Sequence, residues 1–238
     1  LTAEELRSAH VAGWCVEAMQ AMALVADDIV DGSSTRRGKP CWYKVVGQNT
    51  AITDSLTLYA WLFQILRCHF APGGEACEAG YAVGQYGDDT ATRLWSVMTE
   101  SCMRTCLGQT LDTFSERCEP ARATASRYDQ IVLNKTSYYT FYAPIAMGAI
   151  LAAETANAPA SGARADLDAR IEQVRHVASL LGNYFQVQDD YLDVYGGAAT
   201  GKVGTDIADC KLTWLYCWAQ ERCDPEQRAA FGAHYGTE

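Results

Sequence analysis

Six aspartates in two matched clusters are the residues of this chain best suited to chemistry. Residues 24–31 read LVADDIVD and residues 186–193 read QVQDDYLD, so Asp27, Asp28 and Asp31 share a DDxxD spacing with Asp189, Asp190 and Asp193. Both clusters close a long, mostly apolar run with helix-like patterning. Residues i and i+4 of a helix lie one turn apart on one face, which aligns Asp27 with Asp31 and Asp189 with Asp193. Three carboxylates within about one turn repel one another, and a cation between them relieves that repulsion. Mg²⁺ suits best, because it takes one or two carboxylates, keeps several waters and completes its octahedron with phosphate oxygens. Two such clusters facing each other across a cavity would hold a diphosphate through bridging Mg²⁺. For either cluster alone the competing reading is a solvated acidic helix end. A second copy, again with apolar residues before it and basic residues after it, argues against that.

Cations stand close to the acidic clusters in the sequence. Arg36 and Arg37 follow the first cluster in a loop with Gly38 and Pro40 as breakers, and guanidinium forks match phosphate oxygens. Lys135 lies in an apolar and aromatic run with Thr136 and Tyr139, as a candidate cation facing a cavity; a snorkelling lysine is the alternative. Gln109 and Asp112 are i, i+3 neighbours on another helix, placed to orient a metal-bound water or a cationic partner, or simply to face solvent. After the second cluster, residues 196–207 form a Gly-rich loop in which Lys202 could meet a phosphate, without the spacing of a P-loop. Lys211, further on, joins the substrate-binding candidates.

The elements that must position these groups read as helices. Thr2 and Glu5 form a capping-box pattern that opens a helix to about Asp31, which Gly32 ends. Further helices are expected over 50–69, 90–117, 124–153 and 167–195, then from Asp209 and Lys211, and again from Asp224 and Pro225. Within 124–153, Thr136 is expected to bond back to the carbonyl four residues earlier, and Pro144 to free the carbonyl of Thr140, each bending the helix. Residues 75–90 read as an irregular Gly-rich excursion and 154–166 as a small-residue linker inside one domain. No strand-like alternation of useful length occurs and no solenoid repeat, so the expectation is an all-α, single-domain bundle with its site on facing helices.

Composition narrows the function classes. The 238 residues are 49% hydrophobic, ample for one large core. A net charge of −10 with no basic stripe argues against a nucleic-acid partner, though not against an anionic substrate, since Mg²⁺ would reverse the local sign. Ten cysteines without a CxxC, and four scattered histidines, make a zinc site a poor reading. The cysteines sit mostly in apolar runs and are read as reduced thiols of an intracellular, cytoplasmic protein. No signal peptide or transmembrane-length run is read; the longest candidate, about 143–153, is short and contains Pro144. The chain opens on Leu1 and closes at Glu238 in what reads as mid-helix, so both ends are expected to be trimmed and an organelle-targeting segment could precede it.

Six stretches in order, LVADDIVD at 24–31, TRRG at 35–38, GQTLD at 108–112, Lys135 with Thr136, QVQDDYLD at 186–193 and TGKVGTDI at 200–207, resemble the trans-isoprenyl diphosphate synthases. The resemblance is to the eukaryotic farnesyl diphosphate synthase type and spans about residues 9–216. It implies an all-α isoprenoid-synthase bundle, usually a homodimer, with a central cavity between the two DDxxD helices. It implies Mg²⁺-dependent condensation of isopentenyl diphosphate with an allylic diphosphate (dimethylallyl, geranyl or farnesyl): pyrophosphate leaves, the double bond attacks the allylic carbocation, and a proton is lost. By the same resemblance Asp27, Asp31 and Asp189 would bind three Mg²⁺, with Asp28, Asp190 and Asp193 beside them or behind them. Arg36, Lys135 and Lys202 would hold the allylic diphosphate and Arg37 the isopentenyl diphosphate. Gln186, the Thr136 carbonyl and Tyr139 would lie beside the carbocation, where neutral dipoles stabilise it without trapping it. No histidine stands in any of these motifs.

The chain also departs from the family pattern. The family's Gly-Gly-Lys segment is expected before Leu1, and its last helices and basic tail after Glu238. The bulky aromatics common four and five places before the first aspartate are replaced by Ala23 and Met22. Ala23 lies one turn, roughly 5–6 Å, below Asp27, and a methyl group leaves room where a ring would stop the growing chain. The expectation is a product longer than farnesyl, with flexible Met22 able to fill part of the gap. A class I terpene cyclase is the alternative, though it typically carries one DDxxD and a different second motif. An inactive regulatory subunit or a calcium-binding helical module fits less well, because Asp27, Asp189 and Lys202 are all present and no EF-hand spacing occurs.

Overall fold

Helix α1, Ala3–Val30, starts at a capping box: the Thr2 hydroxyl accepts from the Glu5 amide, and the Glu5 carboxylate accepts from the Thr2 amide at 2.6 Å. It ends at Gly32, whose positive φ a side chain would strain. Its buried stripe is Ala12, Cys15, Met19 and Met22, and it packs on α3 (Gln48–Phe70) and α6 (Ala143–Thr155). The Cys15 thiol meets the Leu62 carbonyl, and the Ser55 hydroxyl donates to the Met22 carbonyl at 3.1 Å.

This is a computed structural model, and it describes residues 2–71, 88–115, 124–155, 161–197 and 204–236. After α1 come β1 (Thr35–Arg36) and β2 (Lys39–Pro40), then α2 (Trp42–Val46) and α3. They are followed by α4 (Asp88–Thr113), α5 (Ala125–Val132), a π-helix (Leu133–Tyr142) and α6. The chain continues through α7 (Ser161–Tyr195), α8 (Trp214–Arg222) and α9 (Pro225–His234). The all-α reading holds, with one small exception. The loop after the first aspartate cluster is a minimal antiparallel hairpin pairing Thr35 with Pro40 and Arg36 with Lys39. Arg37 and Gly38 form its tip, both at positive φ, as a two-residue turn matched to strand twist requires.

Contacts group the residues into two compact units, Leu1–Met103 with Tyr138–Ala178, and Arg104–Ser137 with Ser179–Glu238. In the first, Arg175 makes a two-pronged ion pair with Glu100 and lies 4.4 Å above the Tyr142 ring. In the second, Tyr128, Ile131 and Val132 of α5 form a core with Leu212, Tyr216 and Cys217.

Several sequence expectations need correction. Thr136 does not bond back along its helix; the segment holds π rather than α geometry, with the Ser137 hydroxyl reaching the Val132 carbonyl five residues back. Pro144 stands next to the change from π to α geometry at Ala143. The described residues of the expected linker, 154–155 and 161–166, are helical, since α6 runs to Thr155 and α7 starts at Ser161. Residues 206–210 are turns, and α8 starts only at Trp214, where Thr213 caps it. Helix α9 ends at His234 rather than continuing. Helix α1 is, by length and composition, long and apolar enough to cross a membrane, contrary to the expectation that no run is. Most of the excursion at 75–90 lies outside the described residues, which resume within α4. No disulfide joins two described cysteines.

Candidate active site

The last turn of α1 and the hairpin gather one set of candidate site residues, in the first unit. Asp27 and Asp28 both bind Arg36, whose guanidinium reaches Asp28 at 2.8 Å and Asp27 at 3.0 Å. Asp28 is buried, about 100° round the helix from the face that carries Asp27 and Asp31. Burial alone would lower the Arg36 pKa, but the bond to Asp28 and the charges of Asp28 and Asp27 outweigh it and raise it. Cys41 is buried beside this group, and desolvation with the nearby Asp28 carboxylate pushes its thiol up to about 11. The hairpin sorts the two arginines: Arg36 turns to the aspartates, while Arg37 is exposed at the tip.

Ala23 and Met22 part company. Met22 belongs to the buried stripe of α1, roughly 140° round the helix from Asp27. Ala23 shares the Asp27 face, which continues towards the N-terminus through Gln20, Val16, Gly13 and Ala9. Those four residues line a groove of about 420 Å³ together with Tyr139 and Pro144. Tyr139 therefore belongs to this groove in the first unit.

Another set of candidate residues is joined by a chain of hydrogen bonds within the second unit. The Thr136 hydroxyl donates to Gln186 Oε1 at 2.8 Å, and Gln186 Nε2 donates to Asp190 Oδ1 at 3.0 Å. The other Asp190 oxygen accepts the Trp214 amide at 2.7 Å, one of the donors that the start of α8 leaves without a helical partner. Asp190 is 3% exposed. Burial raises its pKa, against the lowering effect of the bonds from Gln186 and Trp214. Asp193 accepts the Asp206 amide at 3.1 Å and so ties the segment after the Gly-rich loop to the end of α7. Gly204 sits so close to the Asp193 carbonyl that a Cβ there would overlap it. Asp189 is half-buried on α7.

Lys135 reaches Asp112 at 2.5 Å, and Lys211 approaches the same carboxylate oxygen at 3.9 Å. Asp112 thus holds two of the expected substrate cations. Gln109 Nε2, one turn away, is buried with no hydrogen-bond partner among the described residues. Lys202 lies outside the described residues.

Two glycines to which the sequence reading gave no individual role let helices of the second unit approach closely. Gly108 of α4 lies against the backbone of Asn134 and Lys135, and Gly182 of α7 lies against Ser137, both too close for a Cβ. Gly182 signalled itself in the sequence only as a glycine in the middle of a helical run, whereas Gly108 opens the GQTLD stretch.

The donor chemistry fits Mg²⁺. Among the described residues no three carboxylate, histidine or cysteine groups converge into a cage. Mg²⁺ needs none, because it binds through one or two carboxylates with waters and phosphate oxygens.

A family model described as polyprenyl synthetase matches residues 1–238. The farnesyl pyrophosphate synthase of Murgantia histrionica is 38% identical over 239 residues, covering 100% of this chain and 53% of that protein. The Saccharomyces cerevisiae farnesyl pyrophosphate synthase is 35% identical, covering 98% and 60%. The chain therefore spans about half to three-fifths of the length of these curated relatives. Among solved structures, T. brucei farnesyl diphosphate synthase complexed with minodronate superposes with a TM-score of 0.79 at 32% identity, covering 100% of this chain and 63% of that one.

Proposed function

The chain belongs to the polyprenyl synthetase family, and from that premise we propose that it condenses isopentenyl diphosphate with an allylic diphosphate, head to tail, with Mg²⁺. The observation that carries the reading is the identity of 35–38% to farnesyl pyrophosphate synthases along nearly the whole chain, with both DDxxD clusters intact. The terpene cyclase alternative gains no support from these relatives.

Asp27 and Asp31 on α1 and Asp189 on α7 are the residues that would hold Mg²⁺. When bound, Mg²⁺ supplies positive charge that stabilises the departing pyrophosphate. Arg36 is oriented by Asp27 and Asp28, and Lys135 by Asp112, so both cations are held in place before substrate arrives. With Lys202 they would bind the allylic diphosphate, while exposed Arg37 would take the isopentenyl diphosphate. Arginine offers paired donors to phosphate oxygens that lysine does not. Gln186 and the Thr136 carbonyl would face the carbocation as neutral dipoles, which stabilise it without supplying a base to quench it. Met22 lies in the core, so Ala23 is the residue that would floor the site, and the groove beyond Gln20 would give a longer chain room to run. A product longer than farnesyl is proposed on that ground.

A homodimer and a cytoplasmic site complete the proposal. An organelle is the alternative, since one relative is named as a mitochondrial farnesyl pyrophosphate synthase of Arabidopsis thaliana. The test is product analysis of the full chain with Mg²⁺, labelled isopentenyl diphosphate and, separately, dimethylallyl, geranyl and farnesyl diphosphates. Elongation of at least one primer is expected. Loss of pyrophosphate without elongation would instead support a cyclase.

A further inference from the structure

We infer that Asp190 is a positioning residue: it fixes which way the Gln186 amide faces, and so keeps the Gln186 carbonyl oxygen on the Thr136 side. The inference rests on the proposed condensation for its kinetic consequence and on the hydrogen-bond chain for its geometry.

An amide has an acceptor end and a donor end of nearly the same shape, so its orientation is decided by its partners. Here the polarity is set from one fixed point. The Trp214 amide is a backbone donor and cannot accept, so it must meet an oxygen of Asp190. The remaining Asp190 oxygen faces Gln186 and accepts, which requires the Gln186 nitrogen on that side. The Gln186 oxygen then faces Thr136 and receives its hydroxyl proton. Each bond is 2.7–3.0 Å long, and Asp190 is 3% exposed. Both Asp190 oxygens are thus engaged by protein donors.

The middle aspartate of the first cluster is likewise buried and held by protein, through Arg36. In both clusters the residue about 100° round from the paired aspartates is turned inward. The DDxxD pattern at the second site therefore carries two roles, a face for Mg²⁺ and an inner carboxylate that sets the polarity of Gln186.

The test is Asp190→Asn in the full chain. The new side-chain oxygen must stay on the Trp214 amide, which presents the new NH2 group to Gln186. Gln186 then turns over, and its own NH2 group faces Thr136 where the oxygen was. The expected result is a fall in kcat of roughly 10–100-fold, the size typical of lost supporting hydrogen bonds. The KM for the allylic primer and the Mg²⁺-dependent affinity for inorganic pyrophosphate, read by calorimetry, stay near wild type. Asp189→Asn should weaken that pyrophosphate affinity. If Asp190→Asn weakens it equally, or leaves kcat unchanged, the inference is overturned.

If Asp190→Asn alone unfolds, the double variant Gln186→Glu with Asp190→Asn decides. A carboxylate at position 186 can accept both from a carboxamide at position 190 and from the Thr136 hydroxyl. The double variant should therefore be more stable than Gln186→Glu alone; equal or lower stability counts against the inference. A wild-type chain that elongates no primer would sink the functional reading instead. The positioning claim is then read by NMR: the Gln186 side-chain amide protons should shift in Asp190→Asn, and unchanged signals overturn it.

Discussion

Alanine at Gly108 should destabilise the protein, although alanine is the better helix former. The position is inside α4, where replacing glycine by alanine at an unobstructed site gains up to about 1 kcal/mol. At Gly108 the added Cβ would lie 2.5 Å from the Lys135 Cα and 2.6 Å from the Asn134 carbonyl carbon, and closer still to the Lys135 nitrogen. These are backbone atoms, so no rotamer change relieves the overlap and the π-helix must move away from α4. Overpacking of this kind costs about 1–3 kcal/mol or more. The upper part of that range applies, and the net loss after the helix gain is about 2 kcal/mol. For a chain of this size that corresponds to a fall in Tm of about 4–8 °C. Gly148 in α6 is the matched control: it is exposed, and nothing lies within 4 Å of its built Cβ. Gly148→Ala should raise Tm by about 1–4 °C. Thermal unfolding of both variants, followed by circular dichroism, is the assay. Equal stability of the two variants would refute the close approach of α4 to the π-helix. Gly108→Ala should also weaken primer binding, because the displaced backbone carries Lys135 away from Asp112.

Three further outcomes are expected. Ala23→Phe should shorten the product by at least one isoprene unit, read by chromatography of the dephosphorylated products; an unchanged product would remove Ala23 from the floor of the site. Arg175→Ala should lower stability by about 1–3 kcal/mol, since it removes a charge-assisted pair with partly exposed Glu100 and the stacking on buried Tyr142; urea unfolding measures it. Cys15 and Cys217, buried and with thiols pushed up to about 12 by desolvation, should resist a thiol reagent at pH 8, because below that pKa the reactive thiolate is scarce. Exposed Cys106, although desolvation raises its thiol as well, should react before these two, and mass spectrometry of the labelled peptides gives the order.

Helical periodicity and capping made most of the fold legible. The Thr2 and Glu5 box, Gly32 and the Asp224 cap all bound helices where local chemistry requires it, because each is settled by atoms within one turn. The spacing of the aspartates also settled which pairs share a face, since that follows from 3.6 residues per turn. What could not be read locally depended on neighbours distant in sequence. Whether Thr136 bonds its own helix or Gln186 turns on where α7 lies. The π geometry of Leu133–Tyr142 has no mark in its own residues, but its close neighbours Gly108 and Gly182 belong to two other helices. In the same way the sequence made Asp28 and Asp190 equal members of their clusters. Only the packing of the hairpin and of α8 turned them inward, because a buried carboxylate must find donors, and Arg36 and the Trp214 amide are brought to it by chain folded from elsewhere.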